Sequence, residues 1–374
     1  MREPQTDSEG KLLLKSMTYD ELSAWLVDEM GQKKFRVQQL WKWMYAHLVD
    51  DFADMTDMSK AFRQTLAERA RLDVLEVDEV FKATDGTRKI LWRTLSGAQI
   101  ESVLIPTEDR NTLCISSQVG CAINCQFCLT AKMGLKSQLT TAEIVDQVVQ
   151  TRRLFGHEQE LTNVVFMGMG EPLHNPDNVI PASNILINGR GLDFSRRKVT
   201  VSTSGLVPAI RRFGKESTAR IAVSLNATTN EVRDWIMPIN RKHPLEELMQ
   251  ALREYPLGKH ERVTFEYVML KGVNDSMDDA KRILRLVSNI PCKVNLIPFN
   301  PHPGTEFEPS PMSRVNEFQA FLRSKGMNCT TRVTRGDDRM AACGQLGSPG
   351  AKTPKRMAPP ERFREILATS TTEA

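Results

Sequence analysis

The chain is 374 residues long, 40% hydrophobic and 26% charged, with a formal net charge of +4. That profile belongs to an ordinary globular protein with room for one large domain and a small accessory one. No apolar run approaches the ~18 residues of a membrane helix, and the opening MREPQTDSEGKLLLKS lacks the apolar core of a secretory leader, so a cytoplasmic protein is expected. Seven cysteines, four of them between 114 and 128, argue against a secreted disulfide framework and for metal or redox chemistry.

Residues 1–15 are expected to be disordered. Thr18 and Glu21 form a capping box ahead of Leu22, Trp25, Leu26 and Met30, which predicts a helix to about Gly31. Apolar Val37, Leu40, Trp41, Met44 and Leu48 mark a second helix, and Met58, Phe62 and Leu66 a third. Residues 16–72 therefore read as a helical accessory module. Its Lys33, Lys34, Arg36 and Lys42 suit phosphate contacts, or equally the polar face of a bundle. Residues 73–110 turn β-rich, with a hairpin signal at Asp85-Gly86 and a further strand in IESVLIP.

From residue 111 to 347 strands alternate with helices. Strands are predicted at 112–117, 163–172, 198–205, 220–227, 262–270 and 293–301. The first helix between them, 140–155, carries a Thr140–Glu143 capping box and apolar Ile144, Val145, Val148 and Val149. Others fall near 176–188, 206–213, 229–236, 244–254, 276–288 and 312–325. Six β-then-α units predict an α/β fold, a parallel sheet curled into all or part of a TIM-like barrel. The Pro-, Ala- and Thr-rich tail 348–374 is expected to be flexible.

The strands begin apolar and end in small or polar groups: Gly170-Glu171, Ser202-Thr203-Ser204, Ser224-Leu225-Asn226 and Asn300. Parallel barrels build their sites at those ends. After the first strand comes Cys121-x₃-Cys125-x₂-Cys128. Three thiolates so close suit an iron–sulfur cluster with one iron left open to a small molecule. The alternatives are a structural zinc with Cys114 as fourth thiolate, or an electron-transfer centre, which ordinarily has a fourth cysteine. Between 190 and 220 lie Arg190, Arg196, Arg197, Lys198, Arg211, Arg212, Lys215 and Arg220 against Asp193 and Glu216, a basic face fit for RNA or a solvated surface balanced elsewhere.

MGMGEPLHN (167–175) is not a dinucleotide loop, because Leu173 stands at the third glycine position and Pro172 interrupts. It resembles the glycine–glutamate–proline motif of radical S-adenosylmethionine enzymes. Together with NTLCISSQVGCAINCQFC (111–128), VTVSTSG, IPFNPHPGT and RGDDRMAACGQL (335–346), it makes the chain closely resemble the RlmN/Cfr family of RNA adenine methyltransferases from about residue 15 to 347.

That resemblance implies a 4Fe-4S cluster on Cys121, Cys125 and Cys128, and S-adenosylmethionine contacts at Gly170, Glu171, Ser202, Ser224, Leu225, Asn226 and Asn300. Family members commonly have histidine at the position of Asn226. It further implies two S-adenosylmethionine molecules per turnover. The first methylates Cys343; the second yields a 5′-deoxyadenosyl radical that activates that methyl for addition to adenine. Cys114 then resolves the protein–RNA crosslink through a disulfide with Cys343, and Glu101 is the implied proton acceptor. The implied substrates are 23S ribosomal RNA and transfer RNA, modified at carbon 2 of adenine, or at carbon 8 in the Cfr-like alternative. An electron donor such as flavodoxin and a monomeric state are also expected. Cys292 and Cys329 match no motif and read as packing residues.

Overall fold

Thr18 opens the first helix as the spacing requires. Its side chain accepts from the Glu21 N–H, and the Glu21 carboxylate accepts from the Thr18 N–H. The helix runs Tyr19–Ser23 and widens into a π turn at Ala24–Glu29. Phe35–Tyr45 and Lys60–Arg69 follow, and Leu40, Trp41, Met44 and Leu66 join one core. The computed structural model describes residues 2–347 and 357–364.

Residues 2–15 are not loose, contrary to the expectation of disorder. Leu12–Leu13 pairs in parallel with Ala70–Arg71. Arg2 grips the Glu21 carboxylate at 2.7 and 2.9 Å. Lys15, with no solvent exposure, bonds both Asp73 and Asp146. The sequence hides this because these partners lie 58 and 131 residues further along the chain. Of the tail, 348–356 and 365–374 lie outside the described residues. The stretch 357–364 is packed rather than free: Phe363 stacks on Trp235 at 5.2 Å, and Arg362 pairs with Glu231 at 2.7 Å.

The main sheet has ten strands: Leu75–Lys82 (β1), Arg88–Thr94 (β2), Gln99–Thr107 (β3), Arg110–Cys114 (β4), Asn163–Phe166 (β5), Val199–Thr203 (β6), Arg220–Ser224 (β7), Val263–Met269 (β8), Cys292–Pro298 (β9) and Cys329–Thr331 (β10). Spatial order follows chain order throughout. β1 to β4 are antiparallel, the hairpin turning at Asp85-Gly86 where Gly86 has φ +83°. β4 to β10 are parallel, and helices on the connections cover the outer face. β10, three residues long, is too short for alternation to reveal, and it buries Cys329.

Residues from all seven parallel strands line one cavity of about 590 Å³ inside the curl. Its wall carries polar and charged groups, among them Thr112, Asn163, Thr200, Arg220, Glu266 and Lys293, beside apolar ones. The sheet is thus an open, partial barrel around that lumen. The helix Thr141–Phe155 carries the expected capping box at Thr140. Its buried Gln147 accepts from the Ser102 hydroxyl and the Ser116 N–H at 2.7 and 2.8 Å, fixing the end of β4 where the cysteine loop departs.

Candidate active site

A short hairpin, Gln118–Gly120 against Leu135–Gln138, frames the cysteine loop. Gly120 has φ +76°, and a Cβ there would stand 1.8 Å from the Gly134 carbonyl oxygen, so only glycine fits. The Cys121 N–H donates to that same oxygen at 3.0 Å, and the Cys128 N–H donates to the Cys125 carbonyl at 3.1 Å. Between them Asn124 takes a left-handed φ of +60°, which asparagine tolerates.

The three thiols line one cavity of about 170 Å³. Among the described residues no three Cys, His, Asp or Glu side chains gather for a single metal ion. Thiols spread round one shared space suit a polynuclear cluster, each bonded to a different iron. Cys114 lines the larger cavity instead, apart from the pocket the three thiols share. Burial pushes the Cys121 thiol up to about 12 and raises Cys125 and Cys128 as well. Metal binding would displace those protons.

Gly170, Glu171, Ser202, Ser224, Asn226 and Asn300 line the same cavity. Gly170 has φ +102°, and a Cβ would lie 2.5 Å from the Gln118 Cβ. The Glu171 carboxyl accepts from the Leu173 and Ser204 N–H groups at 3.0 and 2.7 Å, and burial raises its affinity for a proton. Leu225 is fully buried and does not reach the cavity; its peptide bonds to Glu266 and Arg233 instead. Asn226 sits at φ +52°, and its side chain accepts from the Val268 N–H at 2.8 Å. That amide ties the loop after β7 to β8.

Cys343 lies where the two cavities meet, and Cys114 faces the larger one from the end of β4. Both are free thiols. Burial pushes Cys114 up to about 12, with Cys343 adding to the rise and Arg332 opposing it. Hydrogen bonds tether the Cys343 loop. The Asn300 amide donates to the Cys343 carbonyl at 3.1 Å, the Leu129 N–H to the Gly344 carbonyl at 2.8 Å, and the Thr130 hydroxyl to the Leu346 carbonyl at 2.6 Å.

Glu101 is 8% exposed, not the solvent-facing half of a strand. Its carboxyl accepts from the Gly347 N–H at 3.1 Å and pairs with Lys89 at 3.5 Å; burial raises its proton affinity against that pairing. It touches the end of the Cys343 loop but lines neither cavity.

Two arginines at the site carry no local mark of their role. Arg233, fully buried, donates to the carbonyls of Ser204, Ser224 and Leu225, clamping the ends of β6 and β7. Burial lowers it to about 10. Arg332 lines both cavities beside Cys343 and Cys114. The basic window 190–220 divides: Arg211 and Arg212 pair with Glu254, Asp177 and Glu216, while Arg197 and Arg220 face the lumen.

Comparison with known proteins bears directly on this geometry. The Radical SAM superfamily profile matches residues 115–287, and the ribosomal RNA large subunit methyltransferase N-terminal domain matches residues 13–72. The dual-specificity RNA methyltransferase RlmN of Geotalea uraniireducens is 52% identical, over 90% of this chain and 96% of that protein. The chain belongs to the RlmN family. The RlmN of Geobacter sulfurreducens is 51% identical, over 89% of this chain and 91% of its own. A crystal structure of a radical SAM methyltransferase from Sphaerobacter thermophilus superposes with a TM-score of 0.84 at 43% identity, over 89% of this chain and 98% of that one. The protein is therefore a radical S-adenosylmethionine RNA methyltransferase, and the RlmN partial barrel is the fold described above. Among the described residues no helix is long and apolar enough to cross a membrane.

Proposed function

We propose that the protein methylates carbon 2 of an adenine in 23S ribosomal RNA and in transfer-RNA anticodon loops, working in the cytoplasm as a monomer. The observation that carries this reading is that Cys343 and Cys114 share a polar cavity opening at Cys343 onto the cysteine-loop pocket. Carbon 2 of adenine lies between two ring nitrogens and has no lone pair with which to attack a sulfonium methyl. A carbon unit must first be parked on the protein.

When bound, a cluster on Cys121, Cys125 and Cys128 with two S-adenosylmethionines per turnover supplies a methyl group and a 5′-deoxyadenosyl radical. Glu171, Ser202, Ser224 and Asn300 line the pocket where that cofactor would be held. Cys343 carries the methyl at the junction of the two cavities, within reach of both chemistries. Its tethered loop keeps the sulfur there. Cys114, on the same lumen, forms a disulfide with Cys343 as the base departs, and a cellular thiol reductant resets the pair. Glu101, next to the Cys343 loop with a raised proton affinity, is the candidate proton acceptor. An electron donor such as flavodoxin would reduce the cluster.

The test is mass spectrometry of nucleosides from unmodified ribosomal and transfer RNA after incubation with reconstituted protein, S-adenosylmethionine and reductant. 2-Methyladenosine is expected from both RNAs. 8-Methyladenosine would move the reaction to the other side of the purine, and the absence of both from a competent enzyme would overturn the reading.

A further inference from the structure

We infer that Glu266 recognises the exocyclic amine of the target adenine and so sets the base specificity of the reaction. The inference rests on the function proposed above. Seven residues line both cavities, and Glu266 is the one carboxylate among them. Cys343 and Arg332 are two of the others. Glu266 stands on β8, only 6% exposed, opposite Asn295 of β9.

Its hydrogen bonding is half finished. The Asn295 amide donates to Oε2 at 2.8 Å. Asn295 is itself oriented, because its Oδ1 accepts the Thr330 hydroxyl at 3.0 Å. No hydrogen bond from the described residues reaches Oε1. Arg332 and Lys293 offset the buried charge without bonding to it. A carboxyl group held in place at a cavity wall, with one oxygen given no donor by the described residues, is a site for one.

The chemistry of purines says which donor. Adenine presents an amine hydrogen at its six position where guanine presents a carbonyl oxygen, so an acceptor there favours one base and repels the other. Only the ring nitrogen N1 and carbon C6 separate that amine from carbon 2. A group that grips the amine must lie within a base's width of the sulfur that meets carbon 2. Glu266 and Cys343 both line the neck between the cavities, and Arg332 lies close enough to feel the charge of each.

The experiment uses the full-length reconstituted protein and RNA hairpins with adenosine or purine riboside at the target position. Purine riboside lacks only the amine. The wild type is expected to bind the adenosine hairpin about tenfold to a hundredfold more tightly than the purine one. In Glu266→Ala that ratio falls to about one, whereas Glu266→Gln, which keeps a carbonyl acceptor, retains most of it. Methyl uptake on Cys343 without RNA, read by intact-protein mass, is expected to be the same in all three proteins. A ratio unmoved by Glu266→Ala, with methyl uptake intact, overturns the inference alone. Loss of methyl uptake in both variants overturns it by assigning Glu266 to the cofactor. No methyl uptake in the wild type removes the functional reading, and the inference falls with it.

Discussion

Two clusters of charged groups among the described residues are finished differently. At the joint between the helical module and the barrel, Lys15 bonds Asp73 and Asp146. Asp146 also accepts from the Val74 and Leu75 N–H groups at 2.8 and 3.0 Å, and Arg153 holds Asp73 at 2.5 Å. Every charge there has partners. In the reaction cavity Arg332, with five N–H donors, finds only the Met167 sulfur at 4.0 Å among the described side chains, and the described residues give one Glu266 oxygen no donor. Charges that fasten the fold are saturated; groups facing the reaction line a cavity and are incomplete. The difference shows where a partner from outside the chain belongs.

The largest effect that could break this contrast is at Cys343. Cys343→Ala is expected to abolish RNA methylation while leaving cluster assembly, read by iron content and absorbance, and thermal stability close to wild type. A large loss of stability would mean the cysteine is a packing residue after all. Cys114→Ala is the next sharpest case. Methyl uptake on Cys343 should survive, and the protein–RNA adduct should accumulate, visible as a band of reduced mobility on a denaturing gel. A variant that turns over freely without such a band would remove Cys114 from the resolving step.

What the sequence could disclose follows the range of the interaction. Both capping boxes, the Asp85-Gly86 turn and six of the seven parallel strands are local patterns, and the structure places them as read. Lys15, Arg233, Glu266 and Arg332 act through partners far off in the chain, and a lone lysine or glutamate in a mixed stretch carries no mark of burial. Glu101 shows the same limit: nothing local marks it as buried, yet Lys89 of β2 pairs with it and the Cys343 loop lies against it. Leu225 shows another limit, because a motif position names a residue but not whether its side chain turns inward, and here the side chain is buried.

At the joint, the expected effect is on stability rather than turnover. Asp146→Ala leaves Lys15 buried beside one carboxylate and strips two N–H groups of their acceptor. Breaking a buried pair of this kind costs about 3–5 kcal/mol. A urea titration would show it as a lower midpoint with an unchanged slope. A loss under about 1 kcal/mol would mean the joint is open to water and its charges are no better served than surface pairs.

The smallest effect separates the two clusters by sign. Burial raises the proton affinity of Glu266, against the pull of Arg332 and Asn295. Burial acts on Asp73 too, but Lys15 and Arg153 outweigh it and hold that carboxyl below its usual range. An acid whose folded pKa is raised contributes stability that is fully present below its unfolded value and is lost as pH rises through the folded one. An acid whose folded pKa is depressed contributes stability that is present above the unfolded value and is lost as pH falls through the folded one. Melting curves from acid to neutral pH should therefore diverge. Glu266→Gln is expected to gain on the wild type as pH rises, since it escapes the cost of ionising in the cavity. Asp73→Asn should show its full deficit at neutral pH and lose that deficit on acidification. If Glu266→Gln instead lost stability towards neutrality, as Asp73→Asn must, Glu266 would be a saturated partner of Arg332, and the distinction between fastening charges and waiting ones would fail at the residue that defines it.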